Sequence, residues 1–194
     1  MSIVIEPEQP QDADAIEALL DGAFGPDRGK KQSYRYRQSV APVAPLCLVA
    51  REEGRLLGTI RYWPVAIRGQ RRATPALLLG PIGIAADRRR ERIGDRLIRQ
   101  TLLQACELGH RLVLLVGDIG YYGRFGFRPA TPYGIRMPGE QPERLQLLEL
   151  ASGALAGVEG DLWPVRQPGL RQRMAAGRGS AARPAAVKGP RFGT

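Results

Sequence analysis

The apolar positions of this 194-residue chain fall into short runs separated by turn residues. Their period switches between two and about 3.6 residues, the pattern of a mixed sheet covered by helices. Ile3-Val4-Ile5 predicts a short strand. Over residues 10–24, Ala15, Ile16, Leu19, Leu20 and Phe24 form a helical stripe behind an Asp12 cap, and Gly25-Pro26 ends it. A polar, weakly marked second helix is expected over residues 29–40, closed by Pro42 and Pro45. Residues 46–51 and 55–67 read as strands joined by a hairpin turn at Glu52-Glu53-Gly54. A basic loop follows at 69–74.

Residues 76–84 are apolar on both faces and predict a central strand covered on both sides. Pro81 conflicts with a regular ladder, because proline has no N–H to donate. Two readings stay open here. The ladder is interrupted near Gly80-Pro81, exposing backbone groups that a ligand can use, or the strand ends early. After another basic loop comes the clearest helix, 93–108: Ile93, Leu97, Ile98, Leu102, Ala105 and Leu108 share one face, and Gly109 is its C-cap. Residues 112–116 form another buried strand. Strand, helix and strand at this spacing predict a βαβ unit with parallel strands. Asp118 can cap a short helix over 119–125, and strands near Ile135 and over 145–150 complete the sheet. The fold class is therefore α/β (α+β), with a mixed, mostly antiparallel sheet.

Charge changes this picture at one end only. The formal net charge is +10. Six of the 29 basic residues and none of the 19 acidic ones fall at 167–194, which leaves +4 for the rest. Residues 1–166 are expected to form one domain. The basic Gly/Ala/Pro/Arg-rich stretch 167–194 is expected to be a disordered tail able to touch nucleic acid without specificity. The start of the chain is no secretory signal, and no apolar run approaches the length of a membrane span, so a cytoplasmic protein with no membrane partner is expected. Cys47 and Cys106 lie far apart in apolar segments and read as buried free thiols. No metal site is expected.

Two segments carry candidate chemistry. In Arg88-Arg89-Arg90-Glu91-Arg92-Ile93-Gly94-Asp95, a basic loop leads into a helix start. Free N–H groups and the helix dipole suit a phosphate there, and arginines add bidentate contacts. A solvated basic loop or a nucleic-acid patch accounts for the same residues. In Gly117-Asp118-Ile119-Gly120-Tyr121-Tyr122-Gly123-Arg124-Phe125-Gly126-Phe127, two tyrosines follow the C-terminal end of a parallel strand, where ligands of open α/β sheets bind. A tyrosine there is a proton donor or an aromatic plug.

Together, at this separation and in this strand order, the two segments resemble the core of the GNAT superfamily of acyl-CoA N-acyltransferases. The loop Arg89-Arg90-Glu91-Arg92-Ile93-Gly94 stands where that family has Gln/Arg-x-x-Gly-x-Gly/Ala, and Tyr122 stands on the family's tyrosine. The Tyr-Tyr-x-Arg-Phe-Gly-Phe form is similar to a bacterial branch of predicted N-acetyltransferases. The resemblance implies a GNAT fold with a central splayed parallel strand pair flanked by helices. It implies acetyl-CoA as cosubstrate, its pantetheine arm on Ile82, Gly83 and Ile84. The pyrophosphate would sit on Arg89, Arg90, Glu91, Arg92, Ile93, Gly94 and Asp95, with Tyr121 and Arg124 alongside. An amine of a small molecule or protein would attack the thioester directly, with Tyr122 as general acid. Arg92 departs from the family's glycine. If that position needs positive φ, a side chain there costs about 1–2 kcal/mol.

No general base is evident, since residues 76–86 hold no Asp or Glu and His110, the sole histidine, lies at the wrong end of its helix. The acceptor pocket is expected from the loops at 25–39 and 129–142, and a homodimer is compatible with the sequence. Two alternatives remain. One is a catalytically weak or inactive CoA-binding or regulatory module of the same fold. The other is a basic nucleic-acid-binding protein.

Overall fold

The computed structural model describes residues 2–165, so the expected tail at 167–194 lies outside the described residues. One sheet contains β1 (Val4–Pro7), β2 (Leu48–Glu52), β3 (Arg55–Arg68), β4 (Ala73–Ile84), β5 (Leu112–Val116), β6 (Arg128–Pro129), β7 (Ile135–Arg136), β8 (Leu145–Glu149) and β9 (Gly160–Pro164). Its main path runs β1-β2-β3-β4-β5-β8-β6. β9 pairs with the second half of β3 and with β7. The central β4–β5 pair is parallel, joined by α3 (Ile93–Glu107) as the βαβ pattern requires.

Strand alternation decides which helix covers which face. Val49 of β2 packs on Ile16 and Leu20 of α1 (Ala13–Phe24). Its neighbours Leu48 and Ala50 point the other way, onto Leu97 and Ile98 of α3. The same alternation sends Leu77, Leu79, Val113 and Leu115 under α3, and Leu78, Leu112 and Leu114 into a second core beneath the chain after β6. Burying Leu97 or Ile98 fully contributes about 1.5–3 kcal/mol each. A buried polar pair in the α3 layer is satisfied: the Tyr62 hydroxyl meets Thr101 Oγ1 at 2.9 Å, and Thr101 donates to the Leu97 carbonyl at 2.7 Å.

Several expectations need correction. The helix expected at 29–40 is broken. Only Gln32–Arg35 (α2) is α-helical, after a 3-10 turn over Pro26–Lys30. Lys31 is extended between them, and side chains hold the segment instead: Arg28 pairs with Glu17 and with Asp21 and donates to the Tyr34 hydroxyl at 3.0 Å. Asp12 stands at the N-cap of α1, but its carboxylate accepts the Gln9 N–H at 2.9 Å and pairs with Arg51 of β2. Of the two free thiols, Cys47 is buried but Cys106 is exposed. Leu108 is half exposed, because α3 stops at Glu107. The basic loop before α3 contains a 3-10 turn, Ala86–Glu91, with Arg88 held by Glu52 at 2.7 Å and by Glu91. β4 begins three residues earlier than expected. β6 and β9 were not foreseen, being short and carrying prolines.

Candidate active site

The central parallel pair is short. β4 and β5 pair only at Leu77↔Val113 and Leu78↔Leu114. Beyond Leu78, β5 stays with β8 while β4 stays with β3, so a wedge opens between them. A bulge accompanies the parting: Ile60 faces Ile82 and Tyr62 faces Leu79, which leaves Gly80 and Pro81 opposite Arg61 alone. The extra residue bends and re-aims the strand, and Pro81 removes a donor where none is needed. Gly80 takes φ 116°, and its carbonyl accepts the Trp63 indole N–H at 2.8 Å. Of the two readings of Pro81, the interrupted ladder is the one observed; the strand runs on to Ile84.

The ladder phase sets which backbone groups face the wedge. Ala85 N–H donates to the Leu57 carbonyl at 2.8 Å. Hydrogen-bonded pairs alternate, so Gly83 bonds across to Thr59 of β3, and Ile82 and Ile84 turn their N–H and C=O groups into the gap. Gly83 serves a different contact. A Cβ there would lie 2.8 Å from Leu20 Cδ2, so the missing side chain lets α1 close on β4.

α3 starts at the mouth of the wedge. Arg92 has φ 54° and ψ 25°, left-handed geometry, and the first intrahelical donation is Arg96 N–H to the Arg92 carbonyl at 3.1 Å. The N–H groups of Ile93, Gly94 and Asp95 are the unpaired donors that any helix start leaves. A cavity of about 520 Å³ lies here, lined by Ile82, Ile84, Arg89, Arg92, Gly94 and Asp95 on one side. Tyr121, Tyr122 and Arg124, on and after α4 (Ile119–Tyr122), form the other wall. The walls touch: Arg124 donates to Asp95 Oδ1 at 2.6 Å and Tyr121 to the same oxygen at 3.4 Å. A Cβ on Gly94 would meet the Tyr121 hydroxyl at 3.0 Å. The side chains of Arg90, Glu91 and Ile93 do not line this cavity. Arg90 is exposed, Glu91 is paired with Arg88, and Ile93 is in the core.

Asp118 caps α4 as expected, accepting the Gly120 N–H at 3.0 Å. The cap aims Tyr122 back over Gly117, where a Cβ would fall 2.3 Å from a ring carbon. Burial, with Tyr121 adding to it, pushes the Tyr122 hydroxyl up to about 12. Tyr122, Phe24 and Ile82 also line a second cavity, of about 410 Å³. It runs from Gly80 and Pro81 to Lys31 and Arg37 on one loop and Glu140 on another, so both loops expected to shape an acceptor pocket meet there. Glu140 was not foreseen. It is the one carboxylate lining this cavity among the described residues, its side chain is 11% exposed, and Arg144 Nη1 lies 3.9 Å away. The available signal was a lone acid between Pro138 and Pro142 in an expected acceptor loop. His110 lines neither cavity, and burial lowers its pKa.

Residues 5–130 match the family model described as an acetyltransferase (GNAT) domain. The chain belongs to the GNAT acetyltransferases. The uncharacterised N-acetyltransferase YhbS of Escherichia coli K12 is 30% identical to this GNAT protein over 161 residues, 81% of this chain and 93% of YhbS. The crystal structure of E. coli YhbS in complex with CoA matches it with a TM-score of 0.72 and 28% identity, over 88% of this chain and 92% of that one. A GNAT acetyltransferase from Brucella melitensis, in complex with acetyl-CoA, matches with a TM-score of 0.63 and 31% identity, over 84% and 95% of the two chains. The mixed sheet flanked by helices is the GNAT fold, and the family makes this protein an acyltransferase.

Proposed function

We propose that this GNAT domain transfers the acetyl group of acetyl-CoA to an amine, with the thioester lying in the wedge between β4 and β5. The observation that carries the reading is the parting of those strands after Leu78, beside the start of α3. The two relatives with CoA or acetyl-CoA bound support it. The wedge suits this substrate at both ends. Ile82 and Ile84 offer backbone groups to an amide-bearing arm. The first-turn N–H groups of α3, with Arg89 and Arg92, offer donors and positive charge to a pyrophosphate. Asp95, Tyr121 and Arg124 hold the opposite wall in place.

In this reading the amine nitrogen attacks the thioester carbonyl. The N–C bond forms, the C–S bond breaks, and the electron pair leaves on sulfur. Tyr122, which lines both cavities, is the donor to that sulfur in this reading. With its pKa raised to about 12, it stays protonated through the neutral range. It is also a weaker acid than a solvent-exposed tyrosine, and each unit of mismatch costs about 1.4 kcal/mol, so a strong hydrogen bond to sulfur fits it better than complete transfer. Glu140 is the group that takes the proton from the amine, directly or through water. Orientation of the reactants supplies a further share, up to about 7–11 kcal/mol.

Thiol release from acetyl-CoA tests this against a panel of amines, aminoglycosides, amino acids and peptides. Release with at least one acceptor, lowered about 100-fold in kcat by Tyr122→Phe, is the expected result. A protein that neither binds acetyl-CoA nor releases thiol is instead the inactive module, and the strained Arg92 is the feature that favours that outcome.

A further inference from the structure

Arg37 follows α2 and ends at the break in β4: a Cβ added to Gly80 would lie 3.2 Å from Arg37 Nη2. Its guanidinium stacks over the Tyr34 ring, 4.3 Å from the centroid. Nε and Nη1 are sealed from solvent and have no hydrogen-bond partner. The neighbouring arginines differ from it. Arg28 is held by Glu17 and Asp21, and Arg61 by Glu8 and Glu17. Among the described residues no carboxylate pairs with Arg37. Burial pulls its pKa down to about 10, with Tyr34 opposing and Arg28 and Arg61 assisting, so it remains a cation at neutral pH.

A buried charge without a counter-charge is costly, and most such groups are paired. Arg37 lines the acceptor-side cavity together with Lys31 and Arg144, against the single carboxylate of Glu140. An occupant without an anionic group leaves Arg37 without a counter-charge, whereas a carboxylate on the occupant pairs with it beside Gly80. Glu140 gives the same cavity a group that favours an ammonium.

We infer that the acceptor is an amine that also carries a carboxylate, seated by Arg37, so that the substrate class is an amino acid or a close relative. This rests on the acetyl-transfer reading of the wedge. The physical logic is that of a site whose charged group is completed only by the right substrate.

The test compares matched sets: an amino acid, its amide and the corresponding decarboxylated amine, together with a phosphate-bearing amine. Thiol release gives kcat/KM for each, and calorimetry gives the affinity for CoA separately. The expected result is a carboxylate preference of about 10–100-fold over both partners that lack the carboxylate, the ratio a charged hydrogen bond supplies. Arg37→Gln should reduce the preference to within about threefold, chiefly through KM, and Arg37→Lys should restore part of it. Equal use, or equal neglect, of members with and without the carboxylate overturns the inference. So does a preference for the phosphate-bearing amine alone, or a loss of CoA affinity in Arg37→Gln that matches the loss of turnover. Failure of the wild-type protein to bind CoA at all overturns the underlying reading as well and is seen separately in the calorimetry.

Discussion

Arg92 carries the clearest conflict between a residue and its position. It adopts φ 54° at the N-cap of α3, where its Cβ crowds the backbone and glycine would not. Arg92→Gly should gain about 1 kcal/mol and raise the melting temperature by about 2–4 °C in scanning calorimetry, while Arg92→Ala should not. If the side chain also attracts phosphate, the glycine variant binds acetyl-CoA more weakly while being the more stable protein. Gly117 poses the reverse case. Any Cβ there collides with the Tyr122 ring. Gly117→Ala should therefore move Tyr122 and lower kcat about as far as Tyr122→Phe does, with a smaller effect on CoA affinity. A Gly117→Ala enzyme with unchanged kcat would detach the ring's position from turnover. The sequence marked Arg92 as a departure and Tyr122 as a donor. It could not show that Tyr122 is buried enough to reach about 12, because that depends on Tyr121 and the packing of α4.

Among the elements, a break near Pro81 was one of two readings the sequence left open, and the splayed strand pair came from the resemblance to the GNAT family. A residue with no N–H inside an apolar run marks either a ladder defect or a strand end, and the pairing of β4 with β3 as far as Ile84 decides for the defect. The fragmented helix after α1 was not legible. Its order comes from Arg28 reaching Glu17 and Asp21 on another helix, contacts that no local period encodes. Asp12 shows the same limit. Its side chain was expected to cap α1, yet it ties the start of that helix to β2 through Arg51. Burial raises the Asp12 pKa, but the Gln9 N–H and the Arg51 guanidinium outweigh it, and the net shift is downward. A carboxyl depressed on folding stabilises above its unfolded pKa of about 3.9 and loses that contribution as pH falls through the folded value. Arg51 keeps Glu6 as a partner at 2.9 Å, so Asp12→Asn should cost about 1–2 kcal/mol at pH 7, the worth of one charged hydrogen bond. The gap between variant and wild type should close as pH drops below 4 in urea titrations. A gap independent of pH would assign the loss to packing rather than to the ion pair.

For the whole molecule, the order of elements along the chain gave the α/β class with a parallel pair joined by one helix, and the two segments around α3 and α4 gave the GNAT fold through their resemblance to that family. The β9 strand escaped notice: Gly160–Pro164 presents one buried side chain, Leu162, and pairs with β3 a hundred residues away in sequence. Among the described residues its last hydrogen bond is from Val165 N–H to the Pro64 carbonyl. Six positive charges lie beyond Arg166, and the role expected of them is solubility and nonspecific attraction. Acetyl-CoA at about 100 times its Kd adds about 2.7 kcal/mol to any protein that binds it only when folded, about 5–10 °C for a chain of this length. A chain ending at Arg166 should show the same melting temperature and the same ligand-induced rise as the full chain, while losing most of any salt-sensitive retention on nucleic acid. A smaller ligand shift in the shortened chain, at equal stability without ligand, would mean that residues past Arg166 contribute to binding acetyl-CoA.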